Sequence, residues 1–183
     1  MSEPDITGHL ARYMAQARER NLAPHVEREA RHRILDTLAA MVSGAHLKPG
    51  EMAIRYARAQ GGTAEAIVLT TDIVTSAVNA ALVNGMFAHA DETDDFEPVT
   101  KAHPGSAVVP AALAMAEREG RSGAELLTAV TVGYDVCCRF LLALGPDRVR
   151  ASHRSAEGTS STMGAVAAVA SLARLDEKGM RYA

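Results

Sequence analysis

The chain has 183 residues, enough for one ordinary domain with its own core, and 48% of them are apolar against only 4% aromatic. Its formal charge of −3 excludes the broad basic field that nucleic acid or an anionic membrane surface would attract, so neither is expected as a partner. Two cysteines, Cys137 and Cys138, are adjacent in a helical pattern. They suit neither a disulfide framework nor a zinc site, and point to a reducing, cytoplasmic setting.

The N-terminal MSEPDITGHL carries acids instead of a basic region followed by an apolar run, so no signal peptide is expected. No uninterrupted apolar stretch approaches the ~20 residues that span a bilayer. A first helix is predicted from about Ile6 to Arg18. Pro24 then opens a segment where Val26, Ala30, Ile34, Leu38 and Met41 recur at three- and four-residue steps, ending near Gly44. A third helix follows Pro49-Gly50 and stops at Gly61-Gly62. The run from Ala64 to Leu69 is the best extended segment, too isolated to argue for a sheet. From Asp72 to about Ala90, apolar residues cover most of a helix surface, which predicts a largely buried helix.

An acidic loop interrupts that pattern, and a helix resumes from Ser106 to Glu119 with Gly120 as its stop. Ser122 and Glu125 have the spacing of a capping box, and a long apolar helix runs on to about Leu144, closed by Gly145-Pro146. The polar, basic passage DRVRASHRSAEGTSS leads to an alanine-rich helix from Thr162 to Leu175. Asp176 onward reads as the first turns of a helix without a terminal cap, so the chain reads as a fragment or as one polypeptide of a two-part assembly. The fold class expected is all-α, a multi-helix bundle. Alanine favours helices and lets their axes approach closely.

Two polar islands carry concentrated chemistry. In AHADETDDFEPVTKAHPGS, Asp91, Glu92, Asp94, Asp95 and Glu97 share a span with His89, Lys101 and His103. The second island holds Arg148, Arg150, His153 and Arg154 before a helix start, where backbone N–H groups favour anions. If the two face each other across a bundle, imidazole and acids meet cations, which suits proton abstraction beside a carboxylate. Acids beside the imidazole would fix its tautomer. By composition alone the acidic passage also reads as a solvated loop, His103 as a helix-capping residue, and His153 as a surface histidine. His89 closes an apolar helix and reads as structural. A metal reading rests on ligand types alone, since His89, Asp91, Asp94, Asp95 and His103 match no known ligand spacing, and no metal is assigned.

Four stretches taken together resemble one family: NGMFAHADETDDF, KAHPGSAVVPAALAMAE, SGAELLTAVTVGYDV and GAVAAVASLARLDEKGMRYA are similar, in order, to the N-terminal helical domain of the MmgE/PrpD proteins. That family includes 2-methylcitrate dehydratase, cis-aconitate decarboxylase and iminodisuccinate epimerase. The resemblance implies one helical domain over 1–183, normally followed by a smaller α/β lid that this chain lacks, with the active site between them and no cofactor. It implies a homodimer or a partner chain supplying the lid. It further implies a lyase acting on a small di- or tricarboxylate, dehydratase-like, with decarboxylation, epimerisation or a non-catalytic oligomerisation role as alternatives. The family's acidic loop corresponds to His89-Ala90-Asp91-Glu92-Thr93-Asp94-Asp95, its H-P-[GS] histidine to His103, and a second histidine to His153. His103, His153, Asp94 and Asp95 are then the catalytic candidates, with Glu92 and Lys101 binding substrate. Phe96 departs from the pattern by standing where many members carry a hydroxyl residue, and Arg154-Ser155 replaces a frequent Pro-Thr pair.

Overall fold

The computed structural model describes residues 5–183, so Glu3, one of the two acids of the N-terminal stretch, lies outside the described part. Among the described residues the architecture is all-α: nine helices and one two-stranded antiparallel ribbon. α1 (Ile6–Ala17) begins where the Asp5 carboxylate accepts the Gly8 N–H. α2 (Pro24–Gly44) and α3 (Lys48–Gln60) each start with proline in the first turn, where its missing N–H costs nothing. α5 (Gly105–Glu119) stops at Gly120, whose left-handed φ of 60° lets the chain turn away. Both halves of the capping box form at Ser122 and Glu125, where α6 (Gly123–Leu144) begins.

Three elements differ from the sequence expectation. α4 runs from Ala77 to Ala88 and does not start at Asp72, because Val74–Thr75 (β2) pairs with Ala66–Ile67 (β1) and Ser76 caps the helix. The buried Asn84 side chain holds this ribbon on α4, accepting from Leu69 N and donating to Ile67 O, both at 3.0 Å. The basic passage contains a short helix, α7 (Pro146–Ala151). α8 spans Ala156–Leu172, six residues earlier than the apolar pattern suggested, because the Ser155 hydroxyl caps its polar first turn. α9 (Glu177–Tyr182) is capped by Asp176 and packs on α1.

The main core lies where α2, α4, α5, α6 and α8 meet, around Met41, Val83, Phe87, Val108, Val130 and Leu172. A smaller cluster around Met14, Val136 and Met180 ties α1 and α9 to α6 and α8. α6 is long and apolar enough to cross a membrane by length and composition, although Asp135 and Arg139 interrupt its apolar run. Here it is a core helix, with its most extensive packing against α8. That packing depends on small residues. A β-carbon at Gly164 would lie 2.7 Å from Gly133 O, and one at Gly133 would lie 2.9 Å from Gly164 O. Backbone therefore meets backbone with no room for a methyl.

Gly164→Ala should destabilise the fold by about 1–3 kcal/mol through overpacking against a backbone that cannot yield. Gly123→Ala, with nothing near its added β-carbon, should be neutral or slightly stabilising through helix propensity. Urea unfolding of the two variants separates a packing constraint from a simple loss of glycine.

Candidate functional site

The acidic loop joins α4 to α5, and its carboxylates divide into different tasks. Asp94 is buried, with no side-chain surface exposed, and its two oxygens face two imidazoles. Oδ1 is 2.9 Å from His89 Nδ1, and Oδ2 is 3.5 Å from His103 Nδ1. The second gap is too long for a closed hydrogen bond, which leaves Asp94 Oδ2 and His103 Nδ1 both buried and unpartnered. The two rings meet edge to face at 5.4 Å between centroids. Phe96 packs against His103 as well, with ring centroids 5.6 Å apart. His89 reaches this cluster as the C-terminal cap of α4, its N–H bonded to Gly85 O. His103 reaches it one residue before Pro104, with its carbonyl accepting from Ser106 Oγ at 3.1 Å.

Asp95 is also buried but turns to a different partner. Its Oδ1 accepts the Gly105 N–H at 2.9 Å, so this carboxylate, ten residues away, occupies the N-terminus of α5 and favours its dipole. The cap that the sequence reading placed on His103 is supplied by Asp95. Around Gly105 the Thr37 hydroxyl, the Tyr134 hydroxyl and Asp95 Oδ1 converge so closely that a β-carbon there would come within 3.0 Å of all three. Burial pushes the Asp95 carboxyl above the ordinary carboxylate range, against the lowering effect of Tyr134 and of the Gly105 N–H. Burial and the neighbouring Asp95 charge push the Tyr134 phenol up as well.

The remaining acids stay nearer the surface. Glu97 organises its own turn, accepting Thr100 N at 2.7 Å, Thr100 Oγ1 at 2.6 Å and Val99 N at 3.1 Å. Asp91 accepts the Thr93 hydroxyl at 2.8 Å. Glu92 and Lys101 are exposed, both with left-handed backbone (φ 54° and 61°), and neither forms an ion pair among the described residues. Such conformations cost non-glycine residues of order 1 kcal/mol and hold the loop in a shape of its own.

The second island does reach the first, through Arg150. Its Nη1 donates to Thr100 O at 3.4 Å while Nη2 pairs with Asp147 at 2.7 Å. His153 is exposed at the junction of α7 and α8, with φ 58° and its N–H bonded to Arg150 O. It stands outside the His89–Asp94–His103 cluster. Tyr134 and Thr37 carry no signal in the sequence, because each sits on its helix beside another polar residue, Asp135 and Asp36, and far along the chain from the acidic loop. His89, which reads from sequence as structural, stands five residues before Asp94 at the end of α4 and faces its carboxylate.

The Asp95 carboxyl fixes the sign of one pH effect. A raised folded-state value means that the folded chain holds this proton more tightly than the unfolded one. Its stabilising contribution is then full below the unfolded value near 3.8 and is lost as pH rises through the folded value. Asp95→Asn keeps an oxygen for Gly105 N–H but cannot ionise. Its stability relative to the parent should therefore improve as pH climbs from about 4 to 7 in urea titrations. A constant difference would place the ionisable group elsewhere.

The description "MmgE/PrpD N-terminal domain" belongs to a family model that matches residues 8–183. Among curated proteins, the cis-aconitate decarboxylase-like protein oryM of Aspergillus oryzae is 26% identical over 140 residues, covering 73% of this chain and 29% of that protein. Human cis-aconitate decarboxylase is 34% identical over 127 residues, covering 66% of this chain and 26% of its own length. The chain thus spans less than a third of the curated relatives it matches. With the motif order, the all-α architecture and a family match over nearly its whole length in agreement, the chain belongs to the MmgE/PrpD family, in the part described as its N-terminal domain.

Proposed function

We propose that this domain supplies the proton-transferring half of a lyase site acting on a small di- or tricarboxylate. The observation that carries the reading is the fully buried Asp94 carboxylate between the Nδ1 atoms of His89 and His103. An imidazole whose Nδ1–H points at a carboxylate keeps its lone pair on Nε2, the tautomer a general base needs. His103, one-fifth exposed, is the proton carrier, and Asp94 is the residue that orients it and steadies the imidazolium formed when it accepts a proton. Closing the 3.5 Å gap to Asp94 Oδ2 as that charge appears would stabilise the charged state more than the neutral one. Phe96, packed against the ring, limits its rotation.

Abstraction of a proton beside a carboxylate builds enediolate charge, which cations must meet. Arg150, anchored to the acidic loop through Thr100, brings the basic island beside that loop, and Lys101 stands on the loop itself. His153 and Glu92 act as substrate-facing groups at the rim. Asp95 works through α5, holding the helix start that follows His103. The names of the relatives favour a tricarboxylate related to cis-aconitate. Dehydration, decarboxylation and epimerisation share the carbanionic stage, and of these a dehydratase-like elimination is our first choice, running without a cofactor.

The site is open on one side, and a lid from a partner chain or a further domain would complete it. A second copy is the other expected partner. α4 presents Val78, Leu82 and Met86 in one exposed stripe at four-residue steps, a surface suited to such docking. The free, adjacent Cys137 and Cys138 agree with a cytoplasmic setting.

In a proton NMR screen of citrate-like, aconitate-like and amino-dicarboxylate compounds in D₂O, run with the lid-bearing partner present, the protein should label or convert one class. His103→Gln should lower that turnover by about 10²–10⁴-fold with its helical circular dichroism intact. Parent-like turnover in the variant would remove His103 from the chemistry.

A further inference from the structure

The same cluster has the geometry of a cation site, which the proposed proton chemistry does not require. His89, Asp94 and His103 each offer one ligand atom, all within 4.8 Å of one another. Two of these atoms, Asp94 Oδ2 and His103 Nδ1, are buried without partners at 3.5 Å. That separation is awkward for a hydrogen bond but natural for a metal. Ligands bound at 2.0–2.2 Å in a tetrahedron stand about 3.3–3.5 Å apart. A fully buried carboxylate with an unsatisfied oxygen is also costly to leave alone. Access exists from the His89 side, whose imidazole is 44% exposed.

We propose that His89 Nδ1, the Asp94 carboxylate and His103 Nδ1 bind one borderline divalent cation of the zinc type, with solvent in the fourth position. Two imidazoles and one carboxylate are a donor set for such ions, and too nitrogen-rich for calcium or magnesium. Binding draws the donors, now within 4.8 Å of one another, in toward a common centre, and His89, 44% exposed, is the freer of the two rings to turn. The consequence for catalysis rests on the reading of His103 as the base. A cation on Nδ1 of a neutral imidazole leaves the proton on Nε2, so the lone pair that would take a substrate proton is gone. The cation is therefore an inhibitor of this site, acting through the tautomer.

Zinc titration by calorimetry on the whole chain, with Co²⁺ absorption as the geometric readout, tests the site. The parent should bind one equivalent of Zn²⁺, and Co²⁺ should give the visible bands of a low-coordinate N/O complex without thiolate charge transfer. His89→Gln, at an exposed position that leaves the core alone, and His103→Gln should each weaken binding by at least about tenfold. The double variant Cys137→Ser/Cys138→Ser should bind as the parent does. Absence of binding, binding that survives both histidine variants, or binding lost with the cysteines would each overturn the proposal. The readout is independent of turnover: zinc bound at these residues in a protein that transforms no carboxylate would refute the lyase reading and leave the cation site standing.

Discussion

A buried carboxylate sets the terms for this molecule. Asp94 has no solvent of its own, and its charge can be tolerated only if groups around it answer it. The two that do so come from opposite ends of the loop: His89 from the last turn of α4 and His103 from the approach to α5. The loop is therefore fastened at its middle as well as at both ends. Everything between, including the left-handed residues Glu92 and Lys101, bends to keep that contact. Its neighbour Asp95 faces elsewhere, and so one dipeptide serves both the imidazoles and the N-terminus of α5.

The helices can hold such a loop because they are stiff and closely packed. Gly133 and Gly164 let α6 and α8 touch along their backbones, and α5 lies against both. Gly105 carries the same economy of volume into the site, since Thr37 from α2 and Tyr134 from α6 crowd the space where its side chain would be. Two helices and Asp95 of the loop thus crowd the first residue of α5, two residues after His103. Small residues in the core and at the start of α5 serve the same end, a close approach of the chain where a methyl group would not fit.

Helix positions were legible in the sequence wherever apolar period and breaker agreed. Pro24, Gly44, Gly120 and the Ser122–Glu125 box mark real ends. Where a long-range contact decides the ends, local pattern failed. The ribbon at Ala66–Ile67 and Val74–Thr75 is held by Asn84, a lone amide inside an apolar helix. α7 has only six residues and no apolar repeat to announce it. The early start of α8 depends on one serine hydroxyl. In the acidic loop, sequence shows which residues could act but not how they divide. Asp91, Glu92, Asp94 and Asp95 look alike in a row; burial separates the two exposed acids from the two buried ones, and their partners then make Asp94 the imidazole partner and Asp95 the helix cap.

The sorting also underlies both roles we propose for the site. A carboxylate with two imidazoles is a proton relay when the imidazole nitrogens facing it carry hydrogen, and a chelate when a cation replaces those hydrogens. Geometry alone does not choose, because both states place nitrogen against oxygen within a few tenths of an ångström of the same positions. What differs is the outward face of His103: a lone pair in the first state, an N–H in the second. A ligand that needs the lone pair and a cation that removes it therefore compete without sharing an atom of contact. Their linkage is carried through one ring, and its strength is set by how firmly Asp94 holds the inner edge.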